Sequence, residues 1–285
     1  MLINVLGKSV LHHLMSNPLR NDSDTMLVQA LVEHGCDLSA TDSLGESLLH
    51  TIFRHNPWQE DVEMKFKALI ELLTAHKEMS SVRSNDGVVP LQVAIRHRLN
   101  PDFIRLAIPP TLSDWNSVGF QSTPFHDIFR GQVGMQFRHI IPKTYELQCL
   151  DTLLAIEGAD INVPDGKGES LLMWLSQSSA ANPLSIKLLP IIFKRLLEAG
   201  ADVNEQNKAR KTILHHISSY GGDELLDCVV EILKYHPKLD VLDEDGFAPI
   251  HHAIMKENFE ITRLFVDQLD DGHPGPANRG CFPGQ

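Results

Sequence analysis

Histidine is the residue type in this chain with the most evident chemical potential, and it occurs in adjacent pairs. The pairs are His12-His13, His215-His216 and His251-His252. Imidazole is the commonest protein ligand for transition metals, and it titrates near neutral pH. Adjacent residues on a helix point to different faces, however, whereas two chelating residues on a helix must stand three or four positions apart. The sequence therefore predicts no metal site at these pairs.

Catalytic motifs are absent from the sequence. It contains no H-E-x-x-H zinc motif, no G-x-S-x-G nucleophile turn, no C-x-x-C pair and no G-x-G-x-x-G loop. The acidic residues at 243–245 and 270–271 lie in predicted loops, where carboxylates usually form solvated surface. Because no nucleophile, base and oxyanion donor come together, we predict a protein that is not an enzyme and that holds no cofactor.

The composition indicates a folded, acidic protein, and we expect it to be monomeric. Its 285 residues include 25 Lys and Arg against 37 Asp and Glu, so the formal net charge is −12. A nucleic-acid binder needs surplus basic residues, and a membrane span needs about 20 consecutive apolar ones, so we predict neither. Four dispersed cysteines and the lack of a secretory signal indicate free thiols in a reducing compartment. We expect a cytoplasmic location, with the nucleus as a second one.

One motif recurs seven times along the chain. Its pattern is Gly-x-Ser/Thr-x-Leu-His-x-apolar, as in GESLLHTI from Gly45, and a closing motif follows most copies, as in GADVN from Gly200. The apolar anchors of the copies are Leu11, Leu49, Leu91, Phe125, Leu172, Leu214 and Ile250. Each copy predicts a short helix capped by Ser or Thr, a turn, a longer amphipathic helix and a Gly that ends it. One such unit buries its apolar face only against its neighbours.

These motifs resemble the ankyrin repeat, whose pattern is D-x-x-G-x-T-P-L-H-x-A, a second helix and then G-A-D-V-N. The resemblance covers residues 4–269 and implies an all-α fold, an α-solenoid of about seven helix-turn-helix units joined by hairpin loops. The units would begin near residues 4, 42, 84, 118, 165, 207 and 243. Several units carry extra residues between their helices, most of all at 130–148. We expect residues 1–269 to form the array and the Gly/Pro-rich residues 270–285 to form a disordered tail.

The resemblance implies a structural role for the first His of each motif, as a hydrogen-bond donor to the backbone of the neighbouring hairpin. The residues at this position are His12, His50, His126, His215 and His251. Gln92 and Met173 replace it in the third and fifth units, so we expect these two units to lack the bond.

The resemblance also implies protein partners, because ankyrin repeats bind other proteins through a concave surface of first helices and through hairpin tips. The candidate partner-binding residues are Trp174, His13, His216, His252 and Asp127 on that surface, and Phe247 at a tip. Trp174 could instead pack against the next first helix, and Phe247 could tuck under its own hairpin. We expect the three histidines to make partner binding depend on pH, since imidazole changes charge near neutrality.

Two further alternatives follow from the resemblance. Asn162 and Asn204 stand where an Asn hydroxylase modifies some ankyrin proteins, although an ordinary hairpin hydrogen bond is the simpler role. The array could be a self-contained binding module. It could also be the regulatory or substrate-recruiting part of a larger assembly, such as a ubiquitin ligase or an enzyme. A purely structural scaffold is the third interpretation.

Overall fold

The structure is a computed structural model. It describes residues 9–16, 22–55, 67, 69–75, 77–109, 122–130, 144–177, 188–220 and 225–270. Every regular element in these ranges is a helix, and none of their residues belongs to a β-strand. The predicted all-α class is therefore confirmed.

The chain divides into two compact units, unit 1 at residues 1–166 and unit 2 at residues 167–285. The helices of unit 1 are α1 (Val10–Ser16), α2 (Asp22–Glu33), α3 (Leu48–His55), α4 (Pro90–Arg96), α5 (Pro101–Leu106), α6 (Pro124–Arg130) and α7 (Tyr145–Leu154). Residues 69–74 are also helical, and a 3-10 helix spans Lys77–Ser81. The first helices lie side by side, α1 against α3, α3 against α4 and α4 against α6, while the second helices α5 and α7 pack together.

Unit 2 repeats this arrangement. Its helices are α8 (Leu171–Gln177), α9 (Leu189–Glu198), α10 (Ile213–Tyr220), α11 (Leu226–Leu233), α12 (Pro249–Met255) and α13 (Phe259–Asp270). The first helices α8, α10 and α12 are neighbours, and the second helices α9, α11 and α13 form the other layer. No helix among the described residues is long and apolar enough to cross a bilayer.

The apolar anchors of the motif fill the core between the two layers. Leu49, Leu91 and Leu214 are fully buried, and only the last anchor, Ile250, is half-buried. Helices this short are marginal by themselves, so they depend on packing, to which each buried aliphatic side chain contributes about 1.5–3 kcal/mol. Pro90, Pro124 and Pro249 are the first residues of α4, α6 and α12, a position where the N–H group that proline lacks would have no partner within the helix.

Two consecutive hairpins that join repeats within unit 1 stack closely on each other. Asp42 Oδ1 accepts the backbone N–H groups of Leu44 and Glu46, at 2.9 and 3.0 Å, which fixes one tip. Gly45 follows with φ +71°, and a Cβ there would lie 2.7 Å from Asn85 Oδ1 of the next hairpin. The backbone N–H of Asn85 donates to Leu44 O at 2.8 Å. Glycine is therefore required at position 45 both for its left-handed conformation and for this close approach.

Two predicted segments fall largely outside the described residues. The extra residues predicted at 130–148 begin at Arg130, the last residue of α6, and α7 resumes at Tyr145. Helix α13 continues to Asp270, and residues 271–285, the rest of the predicted tail, lie outside the described ranges. The boundaries of the predicted array thus stay predictions.

Candidate functional site

The histidines of the motif join each first helix to the following hairpin. The backbone N–H of Ser47 donates to His50 Nδ1 at 3.1 Å, so the ring proton resides on Nε2. His50 Nε2 donates it to Val88 O at 2.9 Å. His12 makes the equivalent contacts, with the Ser9 hydroxyl 2.8 Å from Nδ1 and its Nε2 3.1 Å from the carbonyl oxygen of residue 46. Both histidines thus make the hydrogen bond to the backbone of the next hairpin that the resemblance implied.

Of the remaining three histidines, His215 follows this pattern in full, since its Nδ1 accepts the backbone N–H of Thr212 at 3.0 Å, and the other two follow it in part. His215 Nε2 donates to Phe247 O at 3.1 Å. The Thr123 hydroxyl lies 2.7 Å from His126 Nδ1. His251, on the last first helix, is exposed, and its Nδ1 accepts the backbone N–H of residue 248 at 3.0 Å.

Gln92 preserves the bond that its position was expected to lose. Its Oε1 accepts the backbone N–H of Val89 at 3.3 Å, and its Nε2 donates to Ser122 O at 2.9 Å. The expectation for the third unit was wrong because a side-chain amide offers one acceptor and one donor, as a neutral imidazole does. Met173 has no N–H group in its side chain, so α8 lacks an equivalent donor.

Asp127 lies beneath the surface of the first helices, between α4 and α6. Its side chain is 1% exposed, Oδ2 accepts Gln92 Nε2 at 3.0 Å, and Oδ1 is 3.0 Å from Arg96 Nε. Burial raises the pKa of the Asp127 carboxyl, and the charge of Arg96 opposes this. This carboxylate therefore joins two helices, and it offers almost no area to a partner.

His216 is also internal. It is 4% exposed, Gln177 Nε2 donates to its Nδ1 at 3.0 Å, and its Nε2 faces Glu169 Oε2 at 3.3 Å. Burial lowers its pKa to about 4, and the positive charge of Lys211 contributes. The imidazole stays neutral at physiological pH, so the pH effect expected from His216 near neutrality does not hold.

Phe247 sits at a hairpin tip whose backbone is fixed on both sides. Its N–H donates to Asp243 Oδ1 at 2.9 Å, and its carbonyl oxygen accepts His215 Nε2 at 3.1 Å. His252 Nε2 donates to Asp243 Oδ2 at 2.8 Å, which fixes the hairpin to α12. The Phe247 ring lies 5.9 Å from the ring of His252 and 6.0 Å from that of His251, and the residue is 39% exposed. The geometry is that of a supported aromatic side chain at the surface.

Trp174 and His13 lie on first helices in different units. Trp174 is half-buried on α8. Its burial therefore lies between that of an exposed groove residue and that of a core residue, the two roles considered for it. His13 is exposed on α1.

The two candidate asparagines stand in hairpins. The backbone N–H of Asn162 donates to Asp160 Oδ1 at 2.9 Å, and that of Asn204 donates to Asp202 Oδ1 at 2.8 Å. Asn204 Oδ1 also accepts the backbone N–H of Lys238 at 2.7 Å, joining two hairpins of unit 2. Their hydroxylation stays a prediction.

The described ranges also contain cysteines and other residue types that can bind metals. No three His, Cys, Asp or Glu residues there are placed to hold a metal ion. Cys36, Cys149 and Cys228 are free thiols. Burial raises the pKa of Cys149 and of Cys228 to about 12, so neither supplies a thiolate nucleophile near neutral pH.

Sequence reasoning missed a second exposed apolar tip. Leu44 is 58% exposed, next to Gly45, and its backbone is held by Asp42 and Asn85 as described above. The available signal was an apolar residue beside the Gly of a motif, as with Leu44 beside Gly45 and Phe247 beside Gly246.

This architecture is similar to that of known ankyrin repeat domains. A family model for ankyrin repeats matches residues 185–273 with three copies. The ankyrin repeat domain of Bcl-3, described as a unique member of the IkappaB protein family, aligns with a TM-score of 0.64 and 20% identity, covering 90% of this chain and 99% of that one. An ankyrin repeat domain from Acinetobacter baumannii AYE aligns with a TM-score of 0.55 and 19% identity, covering 77% and 96%. No curated relative matches.

Proposed function

Since this chain has the fold of ankyrin repeat domains and carries ankyrin repeats at residues 185–273, we propose that it is a non-catalytic module that binds other proteins. Ankyrin repeats in general mediate protein–protein interaction. The predicted count of about seven repeats extends beyond the three copies that the family model matches, and it remains part of this proposal. So do a monomeric state, a cytoplasmic or nuclear location and the absence of nucleic-acid binding.

The observation that carries the proposal is Phe247. A partly exposed aromatic ring on a backbone fixed by Asp243 and His215 loses little conformational entropy when a partner covers it. Aromatic residues held in this way are frequent hot spots of protein interfaces. Leu44 repeats the arrangement at a hairpin tip of unit 1, with 58% of its surface exposed.

Within each unit taken by itself, the first helices supply further proposed partner contacts. Trp174 is half-buried on α8, so part of its surface remains accessible to a partner. His13 on α1 is exposed, and His252 on α12 supports the Phe247 ring. We leave Asp127 and His216 out of the contact surface because they are 1% and 4% exposed.

The test is affinity capture from native lysate, read by quantitative mass spectrometry, with wild type, Phe247→Ala and Trp174→Ala. The matched control is Phe259→Ala, which removes the same ring from a 77% exposed position on α13, away from any hairpin tip. We expect partners that Phe247→Ala and Trp174→Ala lose and that Phe259→Ala retains, with the circular dichroism spectrum and melting temperature unchanged.

Partners that are equally captured by all four proteins would contradict a binding surface at these residues. Loss of folding in Trp174→Ala would identify Trp174 as a core residue, and Phe247→Ala would then decide alone. If the lost partners were subunits of a ubiquitin ligase or of one enzyme, the regulatory or substrate-recruiting alternative would be favoured.

A further inference from the structure

A column of arginines occupies equivalent positions in unit 1. Arg54, Arg96 and Arg130 each stand five residues after the apolar anchor of their helix, in α3, α4 and α6. Five residues correspond to about 140° around an α-helix, so the arginines lie away from the buried anchor. In unit 2 the same positions hold Gln177, Ser219 and Met255. We call the three residues of unit 1 the arginine column.

Each arginine of the column covers a buried carboxylate. Arg54 pairs with Glu46, Arg96 Nε is 3.0 Å from Asp127 Oδ1, and Arg130 Nη2 is 3.4 Å from Asp165 Oδ2. The arginine side chains are 45%, 23% and 30% exposed, whereas the carboxylate side chains are 10%, 1% and 0% exposed. The positive partner of each pair therefore faces solvent and the negative partner lies beneath it.

Further basic groups adjoin the column. His55 and His97 follow Arg54 and Arg96 directly, and both are exposed. The pKa of His97 is lowered, first by desolvation and then by the positive charges of Arg54, His55 and Arg96. The charges of Arg54 and Arg96 both act on the His97 ring, so the guanidinium groups of α3 and α4 lie close to one another, while the neutral His97 adds no charge of its own. The net charge of the chain is −12, so this group of solvent-facing arginines differs from the chain as a whole and would attract an anionic ligand.

We propose that the arginine column binds an extended acidic segment of a partner protein. This inference rests on the proposed protein-binding function and adds the chemistry of one partner. Helices α3, α4 and α6 pack as neighbours, and neighbouring helix axes are about 8–10 Å apart. Three residues of an extended polyproline-type peptide span about 9 Å, so carboxylates at every third residue match the column. A guanidinium has five N–H donors in a planar fork, so it can bind a second carboxylate beside the buried one.

The test uses the full chain and a fluorescein-labelled peptide of about ten residues, with Glu at every third position and Pro or Ser between. A second peptide has Gln in place of each Glu. We expect measurable binding of the Glu peptide by fluorescence anisotropy, weaker binding as salt rises from 50 to 300 mM, and no binding of the Gln peptide. Arg54→Gln and Arg130→Gln should each weaken binding about tenfold, the loss typical of one charge-assisted hydrogen bond.

The matched control is Arg263→Gln, which removes an equal charge from a 70% exposed position on α13 in unit 2. It should leave the affinity unchanged, and Arg54→Lys, which keeps the charge, should restore part of the loss. Equal binding of both peptides, an equal effect of Arg263→Gln, or tighter binding of a single-stranded oligonucleotide would each overturn the proposal. If the peptide fails to bind while lysate partners still depend on Phe247, this inference fails and the proposed function stands.

Discussion

The contact between α4 and α6 in unit 1 and the contact between α8 and α10 in unit 2 use the same helix positions with different chemistry. The contact in unit 1 consists of Gln92, Arg96 and Asp127. The residues at the same positions in unit 2 are Met173, Gln177 and His216, in that order. In unit 1, a buried carboxylate lies between an amide donor and a guanidinium, each 3.0 Å away. In unit 2, one neutral hydrogen bond of 3.0 Å joins Gln177 to His216, and a thioether replaces the other donor.

The difference shows that the apolar anchors, rather than the polar contacts, specify the packing of the first helices. Leu91 and Leu172 are buried to the same extent, at 0% and 2% exposure, although the polar residues around them differ completely. The polar positions are therefore free to vary in charge and in response to pH. They also set the surface above them, which is basic along α3, α4 and α6 and neutral at the equivalent positions of unit 2.

The strongest test of this comparison removes the corresponding side chain from each contact. Arg96→Met leaves the Asp127 carboxylate buried without its cation, so we expect a loss of about 3 kcal/mol in the free energy of unfolding, the low end for a buried pair because the Arg96 side chain is 23% exposed. Gln177→Met removes one neutral hydrogen bond, and we expect a loss of about 1 kcal/mol. Urea unfolding followed by circular dichroism at pH 7.5 measures both.

A second variant separates charge from packing at the unit 1 contact. Arg96→Met combined with Asp127→Asn removes the buried charge together with its partner, so most of the loss should be recovered. Equal losses for Arg96→Met and Gln177→Met would mean that the two contacts do not differ energetically.

The next effect concerns the bond from the first helix to the hairpin. His50→Met removes the donor to Val88 O and the acceptor for Ser47 N–H, two groups in a fully buried site. We expect a loss of about 2 kcal/mol. His50→Gln should lose less than about 1 kcal/mol, because Gln92 makes both bonds in the neighbouring repeat. If both variants lost equal stability, the amide would not be a substitute for imidazole at this position.

The two contacts should also differ in acid. Burial lowers the pKa of His216 from its ordinary value of 6.5 to about 4, so the unfolded chain binds this proton first. The contribution of the neutral His216 to the free energy of unfolding is therefore complete above pH 6.5. It is lost as the pH falls toward 4, by about 1–2 kcal/mol at pH 5. His50, with a pKa lowered to about 4 mainly by burial, contributes in the same direction.

Unfolding free energies measured from pH 7.5 to pH 4.5 check this. His216→Gln and His50→Gln should each flatten the dependence. At the unit 1 contact, Gln92 and Arg96 have no proton to exchange in this range. The raised pKa of Asp127 acts in the opposite sense, because the folded chain binds that proton first. An unchanged slope in both variants would show that other groups control the acid response.

The sequence was sufficient for the helical class and for the anchors because their signal is local and repeated. It was also sufficient for His12 and His50, whose partners follow from the motif. It was not sufficient for Gln92, because the motif names a residue type while the bond needs only a donor and an acceptor at the right spacing.

The sequence was also not sufficient to predict which residues of the candidate surface are buried. Asp127, Trp174 and His216 occupy one motif position, yet two of them are buried and one is half-buried. The neighbouring helix decides this, through Arg96 and Gln92 in one case and Gln177 in another. Insertions of varying length separate these helices in the chain, so the neighbour is not readable from local spacing.

The smallest expected effect restores the bond that α8 lacks. Lys211 O accepts the backbone N–H of Asn207 at 3.0 Å, whereas Val88 O at the equivalent position accepts both a backbone N–H and His50 Nε2. A carbonyl oxygen has two lone pairs, so Lys211 O can accept a second bond. Ser170 Oγ, which already accepts the N–H of Met173 at 3.4 Å, stands where Ser47 meets the Nδ1 of His50.

Met173→His should therefore raise the free energy of unfolding by up to about 1 kcal/mol at pH 7.5, where the buried imidazole is neutral. Met173→Leu is the matched control, since it keeps an apolar side chain of similar volume without a donor, and it should change stability by less than about 1 kcal/mol. Met173→Gln should gain less than the histidine, because the flexible amide loses more side-chain entropy on ordering. Were Met173→His less stable than Met173→Leu, the hairpin after α8 would lie outside the reach of a first-helix donor, and the two contacts would differ in backbone geometry as well as in side chains.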